Sequence, residues 1–146
     1  MYDDDKLVAE ATVFVDAVWE DVVADIDSLV QVESVEDKEQ ARAGMPFGPA
    51  PYEAMRRALA LAERLGLEPH DCDGYIGYAD LRGRSETYLA TIAHSDIVPL
   101  GEGWNFDPLR VTRKDGYLVG RGVLDDKGPL VLSLYAAHFF AERVND

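Results

Sequence analysis

Cysteine and positive charge are scarce in this sequence of 146 residues. Its one cysteine, Cys72, cannot close an intramolecular disulfide, so nothing calls for an oxidising compartment. A nucleophilic role for Cys72 would need a histidine partner that the sequence does not place beside it. Lysine and arginine number 14 against 28 aspartates and glutamates, a formal net charge of −14. That balance excludes nucleic acid as a natural partner, because phosphates need basic side chains to displace their counterions. It equally disfavours an anionic membrane surface. Long apolar runs are missing as well: the most apolar stretch, Leu130 to Ala141, contains Ser133 and His138 and is far short of a membrane span. No basic segment leads into an apolar one near Met1, so no secretory signal is expected and the cytoplasm is the expected location.

Apolar residues make up 47% of the chain, which is ordinary for a folded domain and excludes global disorder despite the charge. The length suits one domain with a real core. Between Leu7 and Val30 apolar residues recur at helical spacing, with Leu7, Phe14, Val18, Val22, Ile26 and Leu29 along one face. Asp3, Asp4 and Asp5 precede that face, where carboxylates favour the positive end of a helix dipole. The Pro/Gly-rich stretch from Ser34 to Ala50 predicts a loop. A second helix is expected from Tyr52 to Leu65, with Ala54, Ala58, Leu61 and Leu65 inward and Gly66 as its stop. A turn is expected around Pro69 to Asp73. Strands are expected at Gly74 to Ala79 and Tyr88 to Ala93, joined by a hairpin connection at Asp80 to Ser85. Asp115-Gly116 is the strongest short hairpin signal, between Leu109 to Lys114 and Tyr117 to Arg121. A last helix starts near Pro129, with Leu130, Leu134, Ala137 and Phe140 expected to be buried. This order of elements fits a layered α/β domain.

Chemistry concentrates in two places. His94 and Asp96 follow the apolar run Tyr88 to Ala93, and in an extended chain residues two apart point to one side. An imidazole beside a carboxylate suits a metal-ligating histidine whose other nitrogen is held by the acid; taken alone, His-x-Asp equally fits a surface polar pair. The second place is Gly120-Arg121-Gly122-Val123-Leu124-Asp125-Asp126-Lys127-Gly128-Pro129. Here adjacent carboxylates stand between glycines that permit tight backbone geometry, and they can face a cation. The alternative is that Asp126 caps the last helix and Lys127 is a solvated charge.

Together with Gly101-Glu102-Gly103-Trp104 between them, His94-Ser95-Asp96-Ile97-Val98-Pro99 and the Gly120 to Gly128 stretch resemble the M20 family of dinuclear zinc metallopeptidases. Pro46-Phe47-Gly48 and Gly74-Tyr75-Ile76-Gly77-Tyr78-Ala79 are similar to its bacterial dipeptidases of the PepV type, also called Xaa-His or β-alanyl dipeptidases. The resemblance runs from about Val30 onward. It implies a partial three-layer α/β/α zinc-exopeptidase catalytic domain, a mixed sheet with flanking helices, without the lid domain. It further implies that His94 binds one of two zinc ions, that Asp96 clamps the His94 imidazole, and that Asp125 bridges both ions. By the same likeness the Asp125–Asp126 peptide is cis, Asp126 is not a ligand and Lys127 is structural.

The implied reaction is hydrolysis of a dipeptide or small peptide by a metal-activated water, with manganese or cobalt as possible replacements for zinc. The family pattern continues with an adjacent Glu-Glu pair, another acidic ligand and a distant histidine, none of which this sequence supplies. His70 and His138 are not expected to replace them. Residues 1–146 are accordingly expected to be an incomplete N-terminal segment of the catalytic domain, with the remainder of that domain and its lid missing and the isolated chain inactive. The competing expectations are a deacylase or carboxypeptidase acting on N-acyl amino acids, and a non-catalytic fragment that serves as a binding module.

Overall fold

Residues 4–30 build the long helix on which the rest of the described chain is laid. The computed structural model describes residues 4–141 and Arg143. Helix α1 spans Asp4–Val30, with Asp4 and Asp5 in its first turn as the dipole favours; Asp3 of the acidic triplet lies outside the described residues. The apolar face named above is the one that turns inward, but burial grows along it. Val22, Val23, Ile26, Leu29 and Val30 are buried, whereas Phe14 and Val18 are only partly covered.

Helix α2 spans Pro49–Arg64, starting at two prolines whose fixed φ suits a first turn. It ends as its sequence dictates: Gly66 takes a positive φ of 85°, and the Leu67 N–H returns to the Ala62 carbonyl at 3.0 Å. Leu61, Ala62, Leu65 and Leu67 join the core that α1 helps to form, and Ala54 is buried as well. Helix α3, Lys127–Ala141, runs antiparallel to α1: Lys127 reaches Leu29, Tyr135 reaches Asp25, and Phe139 packs on Phe14. Its buried positions are Lys127, Gly128, Val131, Tyr135 and Phe139. The expected face was offset from this one, and Phe140 is exposed. Apolar residues surround α3 on most sides, so their spacing alone does not select a face.

The α/β content is as expected, and the β structure consists of two antiparallel pairs. Strand β1, Glu68–Cys72, pairs with β2, Ile76–Asp80, in the register Glu68↔Asp80 to Cys72↔Ile76. The hairpin therefore lies one step earlier than expected, and His70 sits on a strand rather than in a loop. Its turn is Asp73-Gly74, both with positive φ, closed by the Tyr75 N–H on the Cys72 carbonyl at 3.0 Å. This is the same Asp-Gly signal that marks the second hairpin. Gly77 lets β2 lie directly on α2, since a Cβ there would come within 3.0 Å of Met55 Cγ. Strands β3, Thr112–Lys114, and β4, Tyr117–Val119, flank Asp115-Gly116 as its dipeptide predicts.

Tyr88 to Ala93 is not a strand. The segment carries no ladder partner among the described residues, and Leu89 and Ile92 are 98% and 97% exposed. Its apolar, β-branched composition suits a strand, but a strand exists only when another completes its hydrogen bonds. No helix of the described residues is long and apolar enough to cross a membrane.

One polar cluster crosses the helical layer. The Tyr135 hydroxyl donates to Asp25 at 2.6 Å, and the Arg64 guanidinium pairs with the same carboxylate. Burial, then the Asp25 carboxylate, pushes the Tyr135 hydroxyl up to about 12 from its ordinary 10.0. A raised tyrosine contributes stability that is fully present below pH 10 and is lost as pH rises through about 12. Urea unfolding at pH 8 and pH 11 should therefore show lower stability at the higher pH, with part of the loss absent in Tyr135→Phe. At pH 8 the same variant should be less stable by about 1 kcal/mol.

Candidate metal centre

Both motifs converge on the end of α1, and each is held there by its own backbone. Residues 94–97 run extended across the loop that follows α1. The Ile97 N–H donates to the Ser34 carbonyl at 3.1 Å, and the Ser34 hydroxyl donates to the Ser95 carbonyl at 2.7 Å. Ile97 is buried. The alternation of an extended chain then turns His94 and Asp96 outward together.

The second motif is a tight turn leading into α3. The Lys127 N–H reaches the Gly122 carbonyl at 2.9 Å, and the Arg121 N–H reaches the Pro108 carbonyl at 2.7 Å. Gly122 has a φ of +86°, and a Cβ on it would approach Ile97 and Lys127 at 3.0–3.1 Å. A Cβ on Gly128 would lie 2.0 Å from the Val123 carbonyl oxygen, so only glycine lets the turn close on itself. Asp125 and Asp126 stand at its crest, joined by a cis peptide bond. Lys127 points the opposite way. It is completely buried, and its ammonium donates to the carbonyls of Leu29 at 2.9 Å and Val32 at 2.7 Å. The solvated-charge alternative for Lys127 is thereby corrected: the carbonyls of Leu29 in the last turn of α1 and of Val32 just after it make a polar seat for it at the negative end of the helix dipole. Burial pushes this ammonium down to about 8.

The two segments bring His94, Asp96 and Asp125 together. His94 Nε2 lies 2.9 Å from Asp125 Oδ1, and Nδ1 lies 3.3 Å from Asp96 Oδ1 and 3.2 Å from the Asp96 carbonyl. The His94 backbone N–H donates to Asp126 Oδ2 at 3.2 Å. Asp126 thus braces the histidine rather than facing the same space as Asp125. Partial burial pulls the His94 pKa down. The Asp125 hydrogen bond, the Asp96 carbonyl and the charges of both carboxylates outweigh it, and the net direction is upward. In the metal-free protein both ring nitrogens can donate, as an imidazolium requires.

Imidazole nitrogen and carboxylate oxygen are donor types that zinc accepts. His94 and Asp125 present one of each on an accessible surface, their side chains 49% and 85% exposed. Among the described residues no group of three or more His, Cys, Asp or Glu gathers to hold an ion. The donor chemistry fits a zinc centre, and the donor number is below the three protein ligands usual in a catalytic one. Other candidates lie elsewhere. His70 stacks on Tyr78 at 4.6 Å, His138 Nδ1 sits 2.8 Å from the Leu65 carbonyl, and Cys72 is free and exposed. Trp104, in the loop between the motifs, packs on the Arg121 guanidinium at 5.2 Å. Ser34 carried no signal in the sequence: a lone serine after a helix has no pattern that announces complete burial.

Residues 90–145 match the sequence family described as "Peptidase family M20/M25/M40". Similarity to individual proteins reaches further. A Staphylococcus epidermidis protein is 36% identical over 125 residues, 86% of this chain and 26% of its own length. A Bacillus subtilis protein is 32% identical over 117 residues, 80% of this chain and 25% of its own length. Both carry the name "Putative dipeptidase". The chain spans about a quarter of the length of these relatives.

Two measurements check this geometry. The C2 proton of His94, followed by NMR in metal-free protein, should titrate above 6.5 and shift back toward it in Asp125→Asn. Gly128→Ala, which forces a methyl group against the Val123 carbonyl, should destabilise the chain by roughly 1–3 kcal/mol in chemical denaturation.

Proposed function

We propose that this chain is the N-terminal segment of the catalytic domain of a metal-dependent dipeptidase of the PepV type, and that it carries part of a two-metal centre. The observation behind this reading is the His94 imidazole set between Asp96 on one nitrogen and Asp125 on the other. His94 would bind one zinc ion through Nε2, and Asp125, with its two exposed oxygens, would bridge to a second. Such ions, when bound, supply Lewis acidity toward a peptide carbonyl and lower the pKa of a water. Manganese or cobalt would suit the same donors.

The chain's own residues prepare that chemistry. Asp96 fixes the tautomer that leaves the His94 Nε2 lone pair free, because a carboxylate at Nδ1 keeps the proton there. Asp126 holds the backbone of His94 at the height of the Asp125 carboxylate. The exposed side of the pair is where a dipeptide would bind, with the remaining ligands, a general-base glutamate and a lid supplied from outside these residues. The family match and the dipeptidase names of the relatives support peptide hydrolysis over nucleic-acid or membrane functions. The free, exposed Cys72 suits a reducing compartment such as the cytoplasm.

Two assays test the reading. The 146-residue chain supplemented with zinc should release no amino acid from dipeptides above the rate of zinc alone; robust turnover would contradict the partial-site assignment. In a polypeptide that supplies the remaining ligands, Asp125→Ala should lower kcat/KM at least roughly 100-fold and release metal. Retention of both metals and full turnover by that variant would remove the bridging role.

A further inference from the structure

Two polar side chains, Ser34 and Lys127, are completely buried, and neither touches the exposed face of the candidate centre. They lie behind it, one under each half. Ser34 binds the histidine segment through its hydroxyl, on the Ser95 carbonyl, and through its carbonyl, on the Ile97 N–H. Lys127 binds from the aspartate turn, with its ammonium on the carbonyls of Leu29 and Val32. Val32 and Ser34 are two residues apart in the same short loop, where the Ser34 N–H also reaches the Val32 carbonyl at 2.8 Å. Each half of the centre is therefore pinned to one piece of backbone, although 31 positions separate His94 from Asp125 in the chain.

We propose that Ser34 and Lys127 are positioning residues that set the separation of His94 and Asp125 by anchoring both segments to the backbone at the end of α1. This rests on the metal-site reading of His94 and Asp125 given above. Chemistry favours a rigid common anchor over direct contact between the halves. The histidine and aspartate side chains are solvent-exposed, and exposed ion pairs are too weak to fix a spacing by themselves. Buried hydrogen bonds to a charged group are stronger and leave an unsatisfied polar group when broken. Close packing at Gly122, against both Ile97 and the Lys127 stem, joins the two anchors laterally.

The test uses the full chain, metal-free, at one fixed pH, with Ser34→Ala, Lys127→Met and their combination. The ring nitrogen and C2 signals of His94 report whether the imidazole still faces Asp125, and circular dichroism reports the fold. Each folded variant is expected to move the His94 signals toward those of Asp125→Asn. Titration with Co2+, read from paramagnetic shifts of the same signals, is expected to show about tenfold weaker binding. The double variant should lose less than the sum of the two single losses, because both act through one anchor. Variants that fold with unchanged His94 signals and Co2+ binding within twofold of the parent overturn the proposal. Should Lys127→Met not fold, Ser34→Ala decides by the same signals. A parent chain whose His94 signals ignore Co2+ refutes the metal-site reading instead, and the metal-free His94 signals still decide whether the anchors position the ring.

Discussion

A lysine ammonium with no exposure to water is a large electrostatic burden, and its placement organises this chain. The cost of desolvating such a charge is several kcal/mol, and the seat that offsets it is built from backbone oxygens, the Leu29 and Val32 carbonyls, which accept the ammonium beside the Val32 and Ser34 N–H groups. The last turn of a helix provides such oxygens together with the negative end of its dipole. Helix α1 must therefore end where it does, at Val30, and the start of α3 must sit directly over that end. This contact ties the start of α3 to the end of α1, in register with the antiparallel pairing that buries Val131 and Tyr135 against Val22, Ile26 and Leu29.

The rest of the structure attaches to α1 through a few polar ties rather than through a continuous sheet. Asp27 accepts the Val111 N–H at 2.7 Å and pairs with Arg110 at 3.2 Å, holding the approach to the second hairpin. Arg57 on α2 donates to the Ser28 carbonyl at 2.7 Å. Helical packing and these ties bring two distant stretches of sequence to the same loop, so the centre depends on the helices more than on either hairpin.

Much of this was legible in the sequence because local rules govern it. The inward face of α1, the Gly66 stop of α2 and the Asp115-Gly116 hairpin each follow from neighbours within a few residues. So did the two motifs, whose residues do come together. The first hairpin is displaced because Glu68-Pro69-His70-Asp71-Cys72 is polar and contains proline, features of a turn, and because the expected boundary splits Asp73-Gly74, with Asp73 in the turn and Gly74 opening the strand. The buried face of α3 was offset because nearly every position there is apolar. Tyr88 to Ala93 has strand composition, yet pairing is a long-range event that composition does not contain. The complete burial of Lys127 is hidden for a related reason, since a charged residue is solvated in nearly every context where its neighbours are unknown, and a lone Ser34 forms no pattern at all.

The same Tyr88 to Ala93 stretch has a practical side. Its apolar side chains are exposed, and among the described residues no strand pairs with it, a condition that favours pairing with another chain. Arg82, Arg84 and Glu86 precede it and His94 and Asp96 follow it. Charges in those positions act as gatekeepers, limiting how far a second ribbon can extend along the first. The residues proposed for metal chemistry thus also flank an exposed apolar segment, and their charges limit pairing along it.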